Sequence, residues 1–212
     1  MGAEASTLLS LSTRARVERV ERVERAPYIV GLGGTLRANS STEKAVRRAL
    51  DAAAGLGAEV VQFTGEELDL PTFTGAPEAL TPAAKRLLSE LRRADGVIIG
   101  SPGYHGAVSG LMKNALDYLE DMNRDVAPYL HGRAVGCIAT AAGWQAAITT
   151  LANLRGIVHA LRGWPTPLGV AINTAEPVFD ADGVPSDPGV DGQFSMLAAQ
   201  VVEFAQMRAL RP

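Results

Sequence analysis

The chain has 212 residues, 47% of them hydrophobic and 20% charged, with a formal net charge of -3. That composition suits one core of ordinary size and gives neither nucleic acid nor an anionic membrane an overall attraction. A single cysteine, Cys137, excludes an intramolecular disulfide, and His105, His131 and His159 are too scattered for a zinc site. No apolar run reaches the roughly eighteen residues of a membrane span, and "STLLSLS" is too short and hydroxyl-rich for a signal peptide, so a reduced, cytoplasmic setting is expected.

In chain order, residues 1–26 come first and read as a charged arm: "TRARVERVERVERA" repeats Val-Glu-Arg every three residues, so its valines drift around a helix without forming a stripe. One folded domain is expected over 27–212. It opens with the strand "YIVGLGG", then a helix over 42–54, then the strand "AEVVQFTG". Thr81 and Pro82 cap and open a second helix, which leads into "GVIIGSP". A helix over 109–119, the strand "RAVGCIATA", a long helix over 144–162, the strand "PLGVAIN" and a helix over 194–208 complete five strands and five helices.

Four of the strands are almost unbroken apolar runs, as expected where helices cover both faces of a parallel sheet. The matching helical stripes are Ala45, Ala49, Ala53 and Leu56 in the first helix, and Ile148, Leu151, Leu154, Val158 and Leu161 in the fourth. The predicted class is a doubly wound α/β sandwich.

The turn after the first strand, "GLGGTLRANSST", admits three readings. A dinucleotide fingerprint counted from Gly31 finds Gly33 but then Leu36 where the third glycine belongs. A triphosphate loop fails sooner, because no Gly-Lys-Ser/Thr follows. What is left is a set of donors, Thr35, Arg37, Asn39, Ser40, Ser41 and Thr42, at the start of a helix, where hydroxyls, backbone N–H groups and a guanidinium suit a phosphate monoester. An ordinary polar turn capped by Ser40 or Ser41 explains the same residues.

The loop after the third long strand, "SPGYHGAVSGLMKNALDYL", leaves the same edge of the sheet. Pro102 and Gly103 turn the chain, Tyr104 and His105 are displayed, and Gly106 and Gly110 allow a flat ligand close to the backbone. Gly34, Thr35, Arg37 and Ser40 together with Pro102, Tyr104, Gly110, Lys113, Asn114, Ala115, Leu116 and Asp117 resemble the paired motifs of the NADPH-dependent FMN reductase family. The resemblance runs from Tyr28 to the last helix. It includes the small loop "TAAGWQAA" after the fourth long strand, with Trp144 and Gln145 where the family often has further glycines.

The resemblance implies a flavodoxin-like three-layer sandwich with strand order 2-1-3-4-5. It also implies an NAD(P)H:FMN oxidoreductase that passes hydride from NADPH or NADH to FMN. Thr35, Arg37, Asn39, Ser40 and Ser41 would hold the FMN phosphate. The segment Pro102, Gly103, Tyr104, His105 and Gly106 would set backbone groups along the pyrimidine side of the ring, and Ala142, Gly143 and Trp144 would border its other side. His105 is the one candidate general acid, although hydride transfer asks for positioning more than for proton transfer. Trp144 reads equally as a ring contact or an interface anchor. Lys113, Asn114 and Asp117 are expected to be structural, the first and last at a spacing that permits a surface ion pair.

The terminal acceptor stays open at this stage: free flavin for a partner monooxygenase, or a quinone, azo dye or metal oxyanion. A homodimer or homotetramer is implied, with the helix carrying Tyr118 and Leu119 as the expected contact. The long segments 120–133 and 178–193 would line the substrate entrance or a subunit contact. A flavodoxin-like electron carrier is the competing class, but such carriers are strongly acidic and frame the ring with aromatics. An assembly module with a degenerate pocket is a third reading, opposed by the intact first loop.

Overall fold

The computed structural model describes residues 25–76 and 80–210, so residues 1–24 of the expected arm lie outside it. Strand β1 (Tyr28–Gly33) leads into α1 (Ser41–Gly55), β2 (Glu59–Phe63) and a 3-10 turn at Gly65–Leu68. Then come α2 (Pro82–Arg93), β3 (Gly96–Tyr104), the short β4 (Ala107–Val108), α3 (Gly110–Asp117) and a second 3-10 turn at Tyr118–Met122. Strand β5 (Ala134–Ala141), α4 (Trp144–Ala160), β6 (Trp164–Pro165), β7 (Val170–Asn173) and α5 (Pro188–Ala209) complete the order.

The parallel sheet runs β2-β1-β3-β5, with β6 and β7 both paired to the outer side of β5. Counting β6 and β7 as one interrupted strand, this is the expected order 2-1-3-4-5 of the flavodoxin-like fold. The interruption falls at Thr166–Gly169, where Pro167 has no N–H to give to a ladder. Strand β4 is an addition, antiparallel to the end of β3. The last helix starts six residues before Phe194: Asp187 accepts the Gly189 N–H and Pro188 takes the first helical position. Thr81 and Pro82 open α2 as expected, with the Thr81 hydroxyl accepting the Ala84 N–H.

Side-chain alternation along the strands builds a core on each face. Tyr28, Val30 and Leu32 pack with α2, α3 and α4, while Ile29 joins a second cluster with α1 and α5. Gly31 and Gly33 occupy that second face. A Cβ on Gly31 would stand 2.5 Å from Leu50 of α1, and one on Gly33 would stand 2.5 Å from Val46. These two glycines of the opening motif therefore let α1 lie flat on the sheet, and nucleotide contact is not needed to explain them.

Two of the predicted stripes shift. Leu56 is half exposed beyond the end of α1, and Ile148 is 57% exposed while Ala147, Thr150, Leu154 and Val158 face inward. Helix α4 is apolar nearly all round, so its sequence period does not single out one face. Tyr118 and Leu119 are buried at 2% and 0%, which removes them as a subunit contact. Among the described residues, no helix is long and apolar enough to cross a membrane.

At the lower rim, where the parallel strands begin, the buried Arg133 guanidinium donates, among the described residues, to the main-chain carbonyls of Arg92, Ala94, Tyr129 and His131. Arg92 and Ala94 lie at the C-terminal end of α2, the negative end of its dipole. A cavity of about 360 Å³ sits beside this cation, lined among others by Arg25, Asp95, His131 and Arg208. Segment 120–133 ends at this rim, so it does not line the mouth of the loops described next.

Candidate active site

Parallel register brings the ends of β1, β3 and β5 side by side at the upper rim: Gly33 pairs with Gly100, and Pro102 with Thr140. The three loops picked out in the sequence leave this rim from adjacent strands. A buried hydroxyl pair, Thr42 Oγ1 to Thr140 Oγ1 at 2.6 Å, joins the start of α1 to the end of β5.

In the first loop, Ser40 is buried and its Oγ accepts the Glu43 N–H at 3.2 Å, so it caps α1. The Glu43 carboxylate reaches back to accept the Asn39 N–H at 2.9 Å, and it also pairs with Arg47. This reciprocal arrangement holds Asn39 at a φ of 57°. It was readable as the Ser40-x-x-Glu43 spacing of a capping box, with the carboxylate shifted one residue outward. Thr35 Oγ1 accepts the Arg37 N–H at 3.1 Å, which turns the exposed Arg37 outward. Among the described residues, its guanidinium has no hydrogen-bond or ion-pair partner.

The first N–H groups of α1 have no acceptor within the helix. Beside them lies a cavity of about 310 Å³ lined by Asn39, Ser41, Lys44, Thr174 and the residues up to Phe179. Of the two long segments noted in the sequence, 178–193 therefore borders the upper rim through Val178 and Phe179. Lys44 donates from Nζ to the Asp180 carbonyl, which ties that wall to α1. Sequence reasoning missed Lys44, because nothing in its local pattern distinguishes it from a solvated helix lysine.

The second loop is a hairpin. Tyr104 pairs with Ala107 across two residues, and His105 and Gly106 have φ of 52° and 82°, as a two-residue type I′ turn requires. Tyr104 is 56% exposed at its tip. The hairpin leans on α4: Asn153 Oδ1 accepts the Val108 N–H, and the Thr150 hydroxyl donates to the Ala107 carbonyl. Gly103 lies so close that a Cβ there would stand 2.4 Å from Thr150 Oγ1. Pro102 is buried beneath, within β3.

Lys113 and Asp117 form the expected pair at 2.6 Å. Asn114 ties α3 to the strand of chain after β2, accepting the Phe73 N–H and donating to the Leu70 and Pro71 carbonyls. In the third loop Ala142 and Trp144 are exposed, and Gly143 stands at a φ of 121° before α4, whose N-terminus has no side-chain cap. Asn173, absent from the sequence reading, accepts the N–H groups of Gly143 and Ala175.

The donor set suits an anionic, flat cofactor. The first loop offers hydroxyls, a free guanidinium and helix N–H groups for a phosphate, and the second and third loops offer backbone close to open space. Two carboxylates stand near these donors: Glu43, which pairs with Arg47, and Glu176 in the facing wall of the cavity.

Residues 27–177 match the family described as NADPH-dependent FMN reductase. An FMN-dependent NADPH-azoreductase from Staphylococcus aureus is 32% identical over 141 residues, 65% of this chain and 68% of that protein. Among solved structures, FerB from Paracoccus denitrificans, described as a flavoenzyme NAD(P)H:(acceptor) oxidoreductase, superposes with a TM-score of 0.67 at 18% identity, covering 86% of this chain and 99% of FerB. An oxidoreductase from Corynebacterium diphtheriae gives 0.65 at 19% identity, covering 84% and 96%.

Proposed function

The chain belongs to the NADPH-dependent FMN reductase family, and from that premise we propose how its upper rim holds FMN and a reduced nicotinamide. Its activity is that of an NAD(P)H-dependent FMN oxidoreductase. Bound there, FMN would supply the redox chemistry, accepting a hydride from a reduced nicotinamide and passing two electrons on to an acceptor.

Thr35, Arg37, Asn39, Ser41 and the first N–H groups of α1 are assigned to the phosphate, with Arg37 as its charge-assisted clasp. Ser40 contributes its main chain, since its hydroxyl is engaged as the cap of α1. The observation that carries this assignment is the unpaired Arg37 side chain beside a helix start with unused donors. Gly103, Tyr104 and Gly106 are assigned to the pyrimidine side of the ring, and Ala142, Gly143 and Trp144 to its other side. Their work is to orient the ring and to exclude water from one of its faces. His105 is assigned to the I′ turn, whose first central position demands its φ of 52°, and no proton-transfer role is proposed for it.

An azo compound is the acceptor that the 32% identical azoreductase favours, ahead of delivery of reduced flavin to a partner monooxygenase. A homodimer is proposed through the outer face of α4, where Trp144 and Ile148 are 59% and 57% exposed. A cytoplasmic location is proposed from the single, buried thiol.

The test is visible absorption of the purified chain with FMN, then NADPH, then NADH, with Arg37→Ala alongside. Bound FMN that bleaches on adding a reduced nicotinamide, with weaker binding in the variant, is the expected result. Wild-type affinity in Arg37→Ala would remove the phosphate assignment, and decolorisation of an azo dye under the same conditions would identify the acceptor.

A further inference from the structure

The third loop has little of its own to fix it. Gly143 joins β5 to α4 at a φ of 121°, no atom lies within 4 Å of where its Cβ would stand, and both of its neighbours are exposed. Its N–H makes a tight local bond to the Ala141 carbonyl at 3.0 Å, within the same loop. The tie to another element comes from the end of β7, thirty positions along the chain. There Asn173 Oδ1 accepts the Gly143 N–H at 2.7 Å and, two residues beyond itself, the Ala175 N–H at 3.0 Å.

One oxygen therefore fixes two things. On one side it sets the angle at which α4 starts, and with it the aim of that helix's uncapped N–H groups. On the other side it forms an Asx-type turn that starts the segment 174–179, the wall that faces Asn39, Ser41 and Lys44 across the 310 Å³ cavity. The main chain reinforces the same junction, since the Thr174 N–H donates to the Ala141 carbonyl at 2.8 Å. Few residue types can do this. Alanine has no acceptor, and glutamine adds a methylene to an already closed turn. Aspartate keeps the acceptor and adds a charge.

We infer that Asn173 is a positioning residue for FMN, locking the third loop and the wall opposite the phosphate loop in one geometry. The inference rests on the assignment of the first and third loops to FMN made above. It goes beyond that assignment by giving a role to a residue that touches the loop and not the cofactor.

The experiment compares the full-length chain with Asn173→Ala and Asn173→Asp. FMN affinity is read by quenching of flavin fluorescence, amide exchange of Gly143 and Ala175 is read in the FMN-free protein, and KM and kcat for NADPH are read separately. Asn173→Ala is expected to speed exchange at both amides and to weaken FMN binding about tenfold, in line with losing one part-buried and one exposed hydrogen bond. Asn173→Asp is expected to restore the exchange protection and most of the affinity. If Asn173→Ala does not fold, Asn173→Ser, which keeps a hydroxyl too short to reach both amides, is read in the same way. A folded variant without the acceptor that binds FMN as the wild type does would overturn the inference, as would an aspartate that leaves both amides unprotected. A wild-type chain that bound no FMN would bring down the loop assignment itself, a result distinct from a wild type that binds beside an indifferent variant.

Discussion

Helices α1 and α4 both begin at the upper rim, and they are held in opposite ways. Helix α1 carries its own fastening: Ser40 caps it, and Glu43, three residues on, reaches back to Asn39. Helix α4 starts on a glycine without a side chain, and its entry is held from another strand by Asn173. The first arrangement is local and stands without the rest of the sheet. The second exists only once β7 has paired with β5. The loop proposed for the phosphate is thus fastened locally, and the loop proposed for the ring depends on tertiary assembly.

The strongest way to break this contrast is a methyl group at each glycine hinge. Gly34 and Gly143 share a positive φ, 129° and 121°, but a Cβ on Gly34 would meet Thr64 Oγ1 at 2.2 Å whereas one on Gly143 meets nothing. Gly34→Ala should cost about 2–5 kcal/mol, backbone strain plus overpacking, and Gly143→Ala about 1–3 kcal/mol from strain alone. Urea unfolding of the FMN-free proteins measures both, and equal losses would erase the distinction.

Alkali probes the strand that feeds α4. Burial in β5 pushes the Cys137 thiol up from 9.0 to about 12. The folded value lies above the unfolded one, so this contribution to stability is complete below pH 9 and is lost as pH climbs toward 12. The loss approaches about 1.4 kcal/mol per pH unit for a single group. Cys137→Ala should flatten the alkaline limb of a stability-pH curve, and an unchanged limb would assign the loss to other groups.

A smaller effect is expected at the free guanidinium. Arg37→Ala should weaken FMN by about 1.5–3 kcal/mol, the worth of a hydrogen bond to a charged group, with no shift in the melting temperature of the FMN-free protein. A fall in that temperature would mean Arg37 serves the fold. Smallest is Ser40→Ala, which removes the cap of α1 at a cost of about 1 kcal/mol and should show as a modest drop in thermal midpoint.

The same contrast explains what was legible in the sequence. The strand order came with the family resemblance, whereas the Thr81-Pro82 start of α2 and the Lys113–Asp117 pair are each encoded within a few residues, and each was readable. Ile148, Asn173 and the start of α5 were not. The outward face of Ile148 is decided by the β3–β4 hairpin, which takes Thr150 and Asn153 as its supports and so rotates the buried side of α4. Asn173 reads as the polar end of a strand until its partner loop is in place. At α5, Gly189 and Gly192 weaken the helical pattern, so its cap at Asp187 stands seven residues ahead of Phe194, the first residue of its buried face. The burial of Tyr118 and Leu119 follows from the 3-10 turn that folds the end of α3 back onto the core, a turn that periodicity does not announce.

Arg133 gives the opposite rim a different character. There the chain supplies a cation and answers it with its own carbonyls, even though a cavity opens beside it. The upper rim offers donors whose natural complement is an anion that the chain does not encode. The molecule is polarised along its strands: at one end the chain answers its own cation, and at the other its donors are left for an anion. Ligand occupancy should therefore stiffen the protein unevenly, quieting the loops above the sheet while the arginine-bound base stays as rigid as before.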